Sequence, residues 1–200
     1  MLQAVFDFWQ PVLTFALSLF LLLPGARLSQ PLRGALLLAL LGVALVPLGG
    51  ISPATYVRSV FDNLALTTTL ALLLGTAVRM GWVARPAAAE LTVMLWVFAG
   101  MTLALYPATL GLTFFDPYRL GFAPRGLLLA VGAVTLGLLW ARCYIATLML
   151  ALATLGFVLS LKTSTNYWDY LIDPALGIFC LVVLLRRHWR VVIPARYRSA

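Results

Sequence analysis

Polar, aromatic and acidic residues crowd together at one place in this chain, Thr163 to Pro174, with the sequence TSTNYWDYLIDP. Asp169 and Asp173 stand four residues apart there, a spacing that places two carboxylates on one face if the segment is helical. Carboxylates so placed can hold a metal ion with a phosphate, or one of them can act as a general base. A second acidic segment, TFFDPYRLGFAPRG, sets Asp116 near Arg119 and Arg125, and guanidinium groups suit phosphate recognition. The catalytic candidates are therefore Asp169 and Asp116. The substrate-binding candidates are Asn166, Trp168, Arg119 and Arg125, for a lipid-linked, phosphate-containing substrate.

A structural role competes with each of these. Asp173 and Asp116 each precede a proline, the pattern of a helix start, where Asp caps free N–H groups and Pro presets φ. This capping role is the first expectation for both. Tyr167, Trp168 and Tyr170 fit aromatic anchors at a membrane interface. Arg79 and Glu90 flank one short connector, so an ion pair or separate reach to the interface is expected of them.

Other chemistries lack their residues. The chain has one His, His188, so a bis-His haem is excluded. Its one Lys, Lys162, precedes the last expected helix, where a retinal Schiff base would need it. No GxxxxGK[ST], GxGxxG or HExxH pattern occurs, and Ser160 and Ser164 have no His base near them. Cys143 and Cys180 lack CxxC spacing and read as small core residues. No cofactor or metal is expected.

The elements that must position these residues are membrane-length apolar runs. Hydrophobic residues make up 63% of the 200 and charged ones 10%, with mean hydropathy +1.02; soluble domains carry about 25% charged residues. The chain reads as all-α, a polytopic bundle of about seven transmembrane helices over 4–23, 34–48, 64–82, 90–110, 126–141, 144–161 and 174–185. Pro24, Gly25 and Pro31 are expected to break the first connector, Ser52-Pro53 to start an interfacial turn or helix, and Pro107 to kink or end the fourth span. Thr67, Thr68 and Thr69 are expected to bond back to carbonyls of their own helix. Met1 to Phe8 carries Asp7 and no Lys or Arg, unlike a signal peptide, so the first run is kept as a mature helix.

Charge orients the bundle. Seven spans put Arg27, Arg33, Arg79, Arg85, Arg142, Arg186, Arg187, Arg190, Arg196 and Arg198 on one side, against Arg58, Arg119, Arg125 and Lys162 on the other. By the positive-inside rule the N-terminus is outside and the C-terminus cytoplasmic. Residues 1–189 form one transmembrane domain and 190–200 a basic cytoplasmic tail drawn to anionic lipid headgroups. The net charge of +8 is spread between apolar runs, so no nucleic-acid partner is expected.

The expected function is a small accessory subunit of a bacterial inner (plasma) membrane, positioning a larger envelope-assembly or transport partner. The alternative is a membrane enzyme acting at the outer face through Asp169 or Asp116 with Arg119. A small transporter ranks third, because the span centres lack ionisable coupling residues.

Overall fold

A computed structural model describes residues 8–24, 28–112 and 114–192, the last three as backbone alone. Asp7, Arg27, Arg196, Arg198 and the tail from 193 lie outside the described residues. The chain is all-α: α1 Trp9–Leu22, α2 Gln30–Leu45, α3 Pro53–Phe61, α4 Leu66–Met80, α5 Ala88–Thr109, α6 Arg125–Trp140, α7 Tyr144–Val158, α8 Trp168–Leu171 and α9 Pro174–Val192, with a 3-10 turn at Pro117–Gly121. Seven of these helices have 14 or more residues. Only α5, among the described residues, is both long and apolar enough to cross a bilayer. A helix of 15 residues rises about 22 Å, less than a hydrocarbon core of roughly 30 Å.

The boundaries differ from expectation where proline was taken as a breaker. Pro31 opens α2 at its first turn instead of ending a segment, because the N–H it lacks is unpaired there in any helix. Pro107 sits in the last turn of α5, which continues to Thr109. Ser52 caps α3 as expected, its side chain accepting from Thr55 N at 3.3 Å. The basic segment assigned to a tail from residue 190 begins within α9, which runs to Val192.

The core centres on α7. It packs against α4, α5, α6 and α8, while α9 lies along α5 and α1 joins α2, α3 and α4. Phe98, Leu150, Ala153, Tyr170 and Leu171 are buried at this centre. The α5–α9 approach needs Gly177, because a Cβ there would lie 2.5 Å from Thr102 Oγ1. Cys143 and Cys180 are free thiols, both buried in this core.

Charged side chains close the ends of neighbouring helices. Arg79 of α4 donates to the carbonyls of Phe20 and Leu21 (2.9 Å) in α1 and of Leu23 just after it, and its guanidinium lies 4.8 Å from the Phe20 ring centroid. Arg33 of α2 in turn donates to Arg79 O at 2.8 Å, and Gln30 to Met80 O at 3.4 Å. Glu90 of α5 accepts from Ile145 N at the start of α7, at 2.8 Å. Arg79 and Glu90 are therefore not an ion pair. The cation meets the negative end of one helix and the anion the positive end of another, as the helix dipole favours. These bonds gather the C-termini of α1 and α4 with the N-terminus of α2, and join the N-termini of α5 and α7. The long helices therefore run alternately up and down.

Arg79→Met should lower stability by about 2 kcal/mol, since it strips charge-assisted donors from a helix end. Glu90→Gln should cost less, about 0.5–1 kcal/mol, because the amide oxygen can still accept from Ile145 N. Thermal unfolding in detergent checks both; equal losses would count against the capping role of Arg79.

Candidate functional site

The end of the bundle opposite Arg79 and Glu90 holds a polar cavity of about 300 Å³. Its wall includes Asp62 and Asn63 after α3, Tyr106 of α5, Tyr118 of the 3-10 turn, and Lys162, Ser164, Asp169 and Asp173 from the segment between α7 and α9. That segment is held from below by one buried ammonium. Lys162 is 7% exposed, and its Nζ donates to Asn63 O at 2.9 Å, Leu64 O at 2.9 Å and Asp169 O at 2.7 Å. Its three hydrogens thus face three carbonyls. Burial pulls Lys162 down to about 8, opposed by the charges of Asp169, Asp173 and Asp62. At neutral pH it remains an ammonium and keeps all three donors.

Asp173 is a double cap. Its Oδ1 accepts from Leu176 N at 2.8 Å at the start of its own helix, α9. Its Oδ2 accepts from Ala65 N at 2.7 Å and Thr68 Oγ1 at 2.6 Å at the start of α4. Thr67 Oγ1 donates to Leu171 O at 2.8 Å, and Thr69 Oγ1 accepts from Gln10 Nε2 at 3.0 Å. Thr67 and Thr68 therefore bond across to the α8–α9 segment rather than back along their helix; of the three, Thr69 also reaches an i−4 carbonyl, Ala65 O at 3.5 Å.

Asp169 is the acid of the expected set that reaches the cavity. Tyr118 Oη donates to its carboxylate at 3.1 and 3.3 Å, and Ser164 Oγ donates to Oδ2. Burial, then the Asp169 charge and the bond to it, pushes Tyr118 up to about 12, so the phenol stays a donor. Asp169 and Asp173 do not share a helix face. The single turn of α8 ends at Leu171, and Ile172 is extended at φ −155°, ψ 143°. Both residues line the cavity, from either side of this break. Asp62 stands at its mouth with φ 52°, a backbone region that a residue with a Cβ adopts at some cost.

The remaining candidates lie elsewhere. Asp116 is exposed and accepts from Tyr118 N at 3.0 Å, capping the 3-10 turn. Arg119 and Arg125 are exposed, on that turn and at the start of α6, and neither lines the cavity. Asn166 is fully buried; its Nδ2 donates to Tyr118 O at 3.1 Å and its Oδ1 accepts from Trp168 N at 3.0 Å. Trp168 is buried too and donates to Pro117 O at 2.9 Å. These two side chains fasten the acidic segment to the 3-10 turn rather than facing a ligand.

Tyr167 and Tyr170 are also fully buried, packed on Phe157 at 4.8 and 5.3 Å between ring centroids, and not interfacial anchors. Tyr170 Oη donates to Lys162 O at 3.0 Å or Ser164 O at 3.2 Å and accepts from Lys162 N at 3.1 Å. Burial is the main cause that raises the pKa of both phenols.

Sequence reasoning missed Lys162, Tyr118 and Ser164. The signal that could have found Lys162 is a lone lysine placed between apolar helices and two Asp residues. Among the described residues, no group of three or more His, Cys, Asp or Glu is placed to hold a metal ion. Comparisons of the chain with family models, curated proteins and solved structures found no match.

A Cβ on Gly121 would lie 1.7 Å from Asn166 Oδ1, so Gly121→Ala should cost about 1–3 kcal/mol. Combined with Asn166→Ala it should cost less than the sum of the two single losses; additive losses in thermal unfolding would show that the two sites are uncoupled. Because the chain has a single lysine, labelling lysine with ¹³C at the ε-carbon gives one NMR signal, expected to titrate near 8. The folded value lies below the usual 10.5, so this group's stabilising contribution is present above 10.5 and is lost as pH falls through 8. A midpoint near 10.5 would mean that Lys162 is solvated.

Proposed function

We propose that this chain is a seven-span, multi-pass protein of the cell inner membrane, N-terminus outside, acting as an accessory subunit that positions a larger envelope-assembly or transport partner. The observation that carries this proposal is an inverted distribution of polarity. Lys162, Asp173, Asn166, Gln10 and Thr67 are buried, while Leu38, Leu129, Leu136, Trp96 and Trp140 are more than 60% exposed. Exposed apolar residues occur on every one of the long helices, an arrangement that water would penalise and lipid or a membrane partner would cover. The short helices reach across by local thinning of the bilayer and by Arg side chains extending to headgroups.

A subunit role is further supported by how the buried polar groups are used. Lys162, Asp173, Glu90 and Arg79 are each engaged at a helix end or loop carbonyl, leaving little free chemistry. The flanking helices α2 and α6 bury few side chains, Leu40 and Ala44 in one and Leu127, Val131 and Leu138 in the other, so their outer faces suit lateral contact with a partner. An enzymatic role at the outer face keeps one specific support, the Asp169 carboxylate with Ser164 and Tyr118 on an open cavity wall.

A phosphatase reporter fused after Ala200 should be inactive, and a fluorescent protein at the same position bright; the reverse would overturn the orientation. Mild-detergent purification should recover a larger membrane protein in stoichiometric amount, and a solitary monomer would count against the subunit role. Asp169→Asn should leave the cellular phenotype intact. Its loss, with the protein still folded and in the membrane, would favour the enzyme.

A further inference from the structure

The acidic cavity does not stand alone. An apolar groove of about 400 Å³ runs between α1, α4, α5 and α9, and Phe61 lines both spaces. The two also meet along consecutive residues: Leu64 faces the groove and Ala65 the cavity, Ala175 the groove and Pro174 the cavity. The Thr68–Asp173 hydrogen bond, 2.6 Å, stands between them. From Leu64 the groove follows α4 inward to Gly75, a rise of about 16 Å along the helix. Its far wall is apolar, with Leu21, Leu72, Met94 and Phe179.

We infer that these adjoining spaces bind a single amphiphile with a protonated amine in its headgroup, the ammonium in the acidic cavity and the apolar tail in the groove. A polar chamber that adjoins an elongated apolar one, with Phe61 in both walls, has the order of polarity of an amphiphile. The sign of the headgroup comes from the wall. Asp62, Asp169 and Asp173 line it, and Lys162 is the one cation among the lining residues. That ammonium directs its three hydrogens at carbonyls, which leaves none for an incoming anion. Arg119 and Arg125, the groups that would have drawn a phosphate, are not on the wall. An anionic headgroup would therefore meet net negative charge at close range, whereas a cation would be held by it, and such discrimination is strong where water is partly excluded. The Asp62 carboxylate and that of Asp169, which accepts from two hydroxyls, are more available to it than Asp173, which three donors surround.

This inference concerns a ligand rather than the accessory role or the span count, and its test uses purified full-length chain in neutral maltoside detergent. Dodecylamine, dodecyl phosphate and butylamine are titrated separately and bound adducts counted by native mass spectrometry. Dodecylamine should be retained as one adduct, at least ten-fold more tightly than dodecyl phosphate, and butylamine should not be retained. The double variant Asp62→Asn with Asp169→Asn should lose the ten-fold preference while still binding a tail. Ala175→Phe, at an exposed position on the groove wall, should weaken dodecylamine at least ten-fold while leaving the unfolding temperature nearly unchanged. Equal retention of amine and phosphate, or affinities that neither variant alters, would overturn the inference. Failure here leaves the reporter and co-purification results untouched, so the two proposals fall separately.

Discussion

A helix leaves four N–H groups and four carbonyls unpaired at its ends, and a chain this apolar has few polar groups with which to satisfy them. The fold solves the problem by exchange between neighbours. Asp173 caps both α9 and α4, Glu90 caps α7 from α5, and Arg79 closes the end of α1 from α4. Lys162 does the same for the turn that leads into α4, through Asn63 O and Leu64 O. Apart from the Asp173 cap on its own helix, each of these bonds joins segments distant in sequence, so they set which helices are adjacent and which way they run. The apolar contacts along the helix sides are less directional and cannot choose an orientation by themselves.

The acidic segment depends on this same exchange. Its backbone is fixed by Tyr170 against the Lys162 and Ser164 carbonyls, by Asn166 and Trp168 against the 3-10 turn, and by Asp173 against α4. What remains facing the cavity is a small set, with Asp169 at its centre. A ligand site built on so many fixed neighbours would be preorganised. The Asp169 carboxylate keeps two hydroxyl donors, Tyr118 and Ser164.

The proposed accessory role and the proposed amphiphile site are compatible physically. A bundle whose internal polar groups are consumed by helix ends is rigid at its core, and its flanking helices remain available for lateral contact. The acidic cavity, adjoining the groove at Phe61, would under that proposal give such a subunit access to one leaflet. The short helices bear on both, because they bring the polar ends of the bundle close to the apolar middle.

The long charge-free runs made the all-α class legible in the sequence, because runs of 16 or more apolar residues without alternation fit helices better than strands. Local chemistry was legible where partners are close in sequence: Ser52 before Pro53, Asp173 before Pro174 and Asp116 before Pro117 each cap the turn that follows. Partners distant in sequence were not legible. Thr67 and Thr68 could as well have bonded within their own helix, and their partners Leu171 and Asp173 lie more than 100 residues away. Asn166 and Trp168 resemble ligand-facing residues in the sequence, yet Gly121 admits the Asn166 amide so closely that both are locked into the fold. Lys162 carried no motif at all, and only the convergence of three carbonyls from two segments gives it a role. Helix formation is governed by near neighbours, which a sequence displays. The destination of each buried donor depends on which distant ends are brought together, and that is decided by tertiary packing.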